Sequence, residues 1–133
     1  MNEAIFPDLF IALGFLSVLA TGFISKRTFN QLKLISSSFV ILSILTHLFL
    51  PYSAGAVYSN HLLFDAYSHS ARSLILCAGL FLIFITRENQ IRNHQHEYFA
   101  FLLAIVSGAM VMVVSNHAIT LMIAIEVTAI ASY

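Results

Sequence analysis

The chain has 133 residues, of which 59% are hydrophobic and only 9% charged, whereas an ordinary globular domain is roughly 25% charged; this excludes a soluble enzyme with a water-facing shell. Formal net charge is zero and no run of like charges occurs, which removes nucleic acid and polybasic attachment to anionic lipid from the range of partners. The single cysteine, Cys77, lies in an apolar run, so an internal disulfide and any multi-cysteine metal site are excluded, and it reads as an inert packing residue.

Five apolar runs follow in chain order. The first spans Phe6 to Ser25; Glu3 and Asp8 stand at its start and Lys26 and Arg27 after it, the reverse of a secretory signal peptide, so it reads as a retained helix and no targeting segment is visible. The second spans Leu34 to Leu50 and carries Ser36, Ser37, Ser38 and Ser43, which either hydrogen-bond across helices or back-bond to their own carbonyls. The third spans Ala66 to Thr86, the fourth Tyr98 to Val114 and the fifth Ala118 to Tyr133. Each approaches the ~20 residues that cross ~30 Å of hydrocarbon at 1.5 Å per residue. Only helices or closed barrels satisfy their backbone in lipid, and these runs lack the alternation of barrel strands. The expected fold is therefore all-α: a polytopic membrane bundle of about five transmembrane helices, one compact unit over residues 1–133.

The connections set an orientation. Lys26, Arg27 and Lys33 lie in the first and Arg87 and Arg92 in the third, while the second and fourth carry no Lys or Arg. Alternate basic loops predict an amino terminus outside, with the segment from Pro51 to Asp65 also outside. The last run reaches Tyr133 without a polar tail or basic residue to mark an exit, so the chain is expected to be part of a larger protein.

Glu126 is the most informative residue. It lies about 12 Å beyond Ala118 along its helix, near the bilayer midplane, where an ionised carboxylate costs ~2.5–3.5 kcal/mol on the insertion scale. Such a residue is expected to be buried, either as a proton-carrying or charge-pairing carboxylate or as a protonated Glu bonded between helices. Arg72, about six residues into the third helix, falls at a similar depth and either pairs with Glu126 or snorkels to the outer interface. Asp65, His69 and Arg72 are spaced by four and three, on one helical face; they read as a polar opening to the bundle or as an interfacial cap with Asp65 at the helix start. His47 and His117 sit near outer helix ends, where an imidazole anchors to headgroups or water. His94, His96 and Glu97 point to different sides of a helix, so no metal site is expected there. Ala100, Ala104 and Gly108 make one small face for close helix packing.

The stretch EYFAFLLAIVSGAMVMVVSNHAITLMIAIEVTAIASY, from Glu97 to Tyr133, resembles the fourth and fifth helices of the antiporter-like subunits of respiratory complex I, NADH:quinone oxidoreductase, with the nearest match in subunit N, called subunit 2 in mitochondria. The shared features are the acidic-aromatic opening Glu97-Tyr98-Phe99, the small residue Gly108, the turn Ser115-Asn116-His117, and the run Ile123-Ala124-Ile125-Glu126 standing for Leu-x-Leu-Glu. Ala131 replaces the family's usual proline, and the spacing of Asp65 and Arg72 also resembles the start of the family's third helix. The resemblance covers the last third closely and the rest loosely. It implies that Glu126 is the fifth-helix glutamate which, in the family, pairs with a lysine on a later helix in proton translocation, with Arg72 and Asp65 as further candidates. This chain has no lysine after Lys33 and corresponds to the amino-terminal third of such a subunit. No cofactor or metal is implied on it. The implied partners are other membrane subunits of complex I, the remaining carboxy-terminal helices and the lipid bilayer, in a bacterial cytoplasmic membrane or a mitochondrial inner membrane. A subunit of a multi-subunit cation/proton antiporter or of a membrane hydrogenase, and a small non-transporting membrane scaffold, are the alternatives.

Overall fold

The computed structural model describes residues 5–24, 28–49, 55–57, 60–88 and 94–133. Among them are five helices, α1 (Phe6–Ile24), α2 (Phe29–Phe49), α3 (Ala66–Ile85), α4 (Gln95–Val114) and α5 (Ala118–Ser132), with a short antiparallel hairpin, β1 (Gly55–Val57) and β2 (Leu62–Phe64), between α2 and α3. The fold is all-α apart from this hairpin.

Caps, not the limits of the apolar runs, set the helix ends. α2 begins five residues before Leu34 because Thr28 is placed to start it: its carbonyl accepts the N–H of Gln31 and Leu32 at 3.0 and 3.1 Å. Gln31 Oε1 in turn accepts the Thr28 N–H at 3.3 Å, one half of a capping box. α3 starts where the sequence places it, since Asp65 and Ser68 form a complete capping box. α4 begins three residues before Tyr98, its polar first turn carrying an exposed His94–Glu97 pair at 3.0 Å.

Successive helices run antiparallel. The start of α1 meets the end of α2, where Ser43 donates to the Pro7 carbonyl at 2.8 Å. Midway along the same pair, a Cβ at Gly14 would come within 2.8 Å of Phe39 Cβ, so the glycine allows the close approach. The start of α2 meets the end of α3, where Lys33 Nζ donates to the Phe84 and Thr86 carbonyls at 2.7 and 3.2 Å, filling acceptors that a helix end leaves open. The Thr86 hydroxyl donates to the Leu82 carbonyl and receives a hydrogen bond from the Tyr98 hydroxyl at 3.0 Å, joining α3 to α4. α1 to α4 thus form a ring, and α5 packs chiefly on the outside of α4.

α4 is the central helix: Phe99, Leu103 and Met110 are fully buried, against Ile11 and Val18 of α1, Leu32 and Val40 of α2, and Leu76 and Ile83 of α3. Of the small face expected on α4, Ala100 is buried in this core and Gly108 is where α5 lands, since a Cβ there would lie 3.1 Å from the Ala124 carbonyl oxygen and would run into Thr128 Oγ1. The outer surface is strongly apolar, with Leu34, Leu74, Phe81 and Ile130 each about two-thirds exposed or more. By length and composition α2, α3 and α4 are long and apolar enough to cross a membrane, and α1 and α5 are shorter apolar helices.

The remaining expectations divide. Ser37 and Ser38 back-bond to the Leu34 carbonyl, whereas Ser43 crosses between helices as above. Cys77 is exposed rather than packed, since Leu76 and Gly79 are the residues of that turn that face the core. Lys33 and Arg87 lie at one end of the bundle and the hairpin at the other; Lys26, Arg27 and Arg92, on which the expected orientation also rests, lie outside the described residues.

Candidate functional site

Two features stand out: a buried polar cluster at the hairpin end and the open face of α5. The cluster is built where α1 begins, α2 ends and α3 begins. Asp8 is the acid in the first turn of α1, and Arg72 lies two turns into α3, so its long side chain reaches back toward the helix start, as helical side chains do. Arg72 Nη2 meets Asp8 Oδ2 at 2.5 Å, with the side chains only 2% and 18% exposed. The Phe64 ring of β2 covers the guanidinium, 5.2 Å from Cζ, a cation–π contact that the hairpin supplies. Asp8 Oδ1 is buried without a hydrogen-bond partner among the described residues. A pair this dry is close to neutral for stability as a whole, but losing either member is costly.

Beside it, His47 is buried at 6% exposure, held by the His69 carbonyl at 3.1 Å and Ser73 Oγ at 3.0 Å, and its ring stacks on that of His69 with centroids 4.1 Å apart. The expected interfacial anchor is therefore an interior group, because the end of α2 is covered by the first turns of α3. His117 stays exposed and acts as the N-cap of α5, accepting the Ile119 N–H. Asp65 is exposed at the start of α3, and the Ser68 N–H and hydroxyl together hold its carboxyl below the usual carboxylate range. Asp65 thus caps the helix, while His69 and Arg72 on the same face enter the cluster.

The hairpin is fastened to the turn between α4 and α5: Leu62 bridges to Ser115, the Asn116 N–H donates to the His61 carbonyl at 2.9 Å, and Asn116 Nδ2 donates to the Asn60 carbonyl at 3.1 Å. Asn60 takes φ 70°, the left-handed region that asparagine tolerates better than most side chains. This clasp holds Phe64 over Arg72 and sets where α5 begins.

Glu126 is not in the cluster. Of the two alternatives for Arg72 neither holds, since it is buried in a pair with Asp8, and Glu126 makes no ion pair among the described residues. Its expected burial is also corrected. α5 turns Ala124 and Ala131 inward and rests on α4 alone among its principal neighbours, so the residue two positions past Ala124 faces outward and is exposed. On that face Ile119, Met122, Ile123, Glu126 and Ile130 recur at helical spacing, all exposed. The carboxylate thus sits about halfway along a bare apolar stripe. Sequence reasoning missed Asp8 as a site residue, although an acid inside an apolar run was the signal that singled out Glu126.

No family model matches the chain. Over 130 residues, 96% of its length, it is 25% identical to NADH-quinone oxidoreductase subunit N 1 of Solibacter usitatus (strain Ellin6076), and it spans 27% of that protein's length.

Proposed function

We propose that this chain is the amino-terminal part of a subunit N-type membrane subunit of a proton-translocating NADH:quinone oxidoreductase, with Glu126 as its proton-coupling carboxylate. The observation that carries the reading is the setting of Glu126. An ionised carboxylate in hydrocarbon costs ~2.5–3.5 kcal/mol, and the Ile119, Met122, Ile123 and Ile130 stripe around it supplies no compensating charge. A cation from a further helix of the same subunit, seated on that stripe, would supply it. Glu126 then alternates between a carboxylate paired with that cation and a protonated carboxyl when the cation withdraws, which carries a proton without redox chemistry on this chain. Electron transfer belongs to other subunits, and this chain requires no cofactor. Similarity along nearly the whole chain to part of a subunit N supports the reading, as does the apolar outer surface, which suits a lipid bilayer in a bacterial cytoplasmic membrane.

The test is purification of the affinity-tagged chain from its native membranes in mild detergent. The expected result is co-purification with NADH-dependent quinone reductase activity and with other membrane subunits of that complex. Recovery of the chain with no NADH-oxidising partner overturns the assignment.

A further inference from the structure

The helices α3 and α5 start on different kinds of acceptor. α3 begins on the Asp65 carboxylate, whereas α5 begins on an imidazole: His117, with the extended backbone of an N-cap at φ −129° and ψ 135°, accepts the Ile119 N–H at Nδ1 over 3.3 Å. An atom that accepts this bond carries no hydrogen, so the capping ring is neutral and is the Nε2–H tautomer. A carboxylate stays an acceptor through the whole range in which imidazoles take up protons, and an imidazole does not. His117 is exposed, and so is His61 of the hairpin turn, whose ring meets it edge-on with centroids 4.7 Å apart and planes inclined by 61°. Water therefore reaches both rings directly, and a proton needs no internal route.

We propose that His117 is a pH-sensitive latch on the first turn of α5: neutral, it holds the turn closed, and protonated, it lets go of the Ile119 N–H. The latch does not rest on the assignment of Glu126. A hydronium gives its proton to Nδ1 and leaves as water; both ring nitrogens then donate, so no rotation of the ring returns an acceptor to the N–H. The cation also stands at a helix N-terminus, whose partial positive charge opposes it. The ionisable group that faces His117 is His61 of the hairpin. Asp65, at the start of α3, and the cluster of Asp8, His47, His69 and Arg72 share this end of the bundle; the end of α4, Met110–Val114, and α5 before Glu126 contribute none, and Glu3, Tyr52 and Tyr58 lie outside the described residues. A carboxylate that reached the charged ring would steady the cation without restoring the lone pair, so release does not depend on the ring lacking a partner. Release is confined to the first turn, where the Leu121 N–H meets the His117 carbonyl at 3.0 Å, because α5 is held further along by the contact of Ala124 and Thr128 with Gly108.

The test follows the full chain, labelled with 15N and held in lipid nanodiscs, from about pH 8 to about pH 5, a range in which an imidazole of ordinary basicity passes from neutral to charged. The His117 ring signals give its tautomer and charge, and hydrogen exchange gives the protection factor of the Ile119 amide. Both are read against His117→Asn, since asparagine caps a helix and does not titrate. The proposal expects a neutral His117 in the Nε2–H form at the upper limit and, as the ring charges, a loss of Ile119 protection relative to His117→Asn of roughly fivefold, the worth of a typical cap. His61→Gln, which leaves the cap in place, should show the same loss. A neutral ring in the Nδ1–H form, a His117 that stays neutral to the lower limit, protection that does not follow its charge, or a loss abolished by His61→Gln overturns the proposal.

Discussion

Replacing Asp8 by Asn removes the charge that faces Arg72 while keeping the shape of the side chain. The guanidinium is 2% exposed, so it cannot regain water when the carboxylate goes. Breaking a buried pair from one side costs about 3–5 kcal/mol. Asp8 itself retains 18% exposure, which admits some solvent relaxation and places the expected loss near the lower limit, about 3 kcal/mol. The Phe64 ring, 5.2 Å from Cζ, offsets on the order of 1 kcal/mol of the lost attraction but is already present in the native protein. For a chain of this size the loss lowers the melting temperature by roughly 10 °C, measured by circular dichroism in lipid nanodiscs. The paired replacement Asp8→Leu with Arg72→Met should recover most of that loss, because the cost lies in an unmatched buried charge rather than in the absent pair. An Asp8→Asn shift below about 2 °C, or a double variant less stable than the single one, would refute the reasoning.

Gly108→Val should destabilise the chain by about 1–3 kcal/mol, since the new side chain must displace Thr128 and the Ala124 carbonyl; faster proteolysis within α5 in detergent checks it, and an unchanged cleavage rate contradicts it. Lys33→Met should cost about 1–2 kcal/mol by leaving the Phe84 and Thr86 carbonyls without their donor, read as earlier thermal unfolding. The Asp65 carboxyl is depressed by its bonds with Ser68, so its stabilising contribution is present above the ordinary aspartate value and lost as pH falls through the lower folded value. The melting-temperature advantage of the native chain over Asp65→Asn should therefore hold at pH 7 and shrink as the pH is taken below the ordinary aspartate range; a pH-independent difference contradicts this.

Much of the fold was legible because apolar runs of nearly twenty residues have few alternatives. The number of helices and the bounds of α1, α3 and α5 follow the runs to within a residue. The starts of α2 and α4 did not, since hydropathy is blind to polar first turns, although Thr28 and Gln31 carry a capping-box spacing that would have extended α2. The hairpin was invisible to the same reading: its strands are three residues each, too short for alternation to register, and β2 is steadied by the distant Ser115 and Asn116. Of the two readings of Arg72, a pair with Glu126 or a place at the outer interface, the structure shows neither, since Arg72 is buried against Asp8. Depth along a helix placed Arg72 level with Glu126, yet depth says nothing about rotation around the axis. α5 turns Glu126 away from α4, while Arg72 points inward to Asp8. His47 was misjudged for a related reason, since nearness to a helix end does not reveal that the neighbouring helix covers it.

Proton translocation by native membrane vesicles carrying Glu126→Gln tests the functional reading most directly. The variant removes the titratable oxygen while leaving the packing face of α5, Ala124 and Ala131, untouched, so membrane insertion and assembly should persist. The account predicts NADH-driven proton uptake reduced at least tenfold per NADH oxidised, with the chain present at its normal level. Uptake equal to that of unaltered vesicles would contradict a coupling role for Glu126.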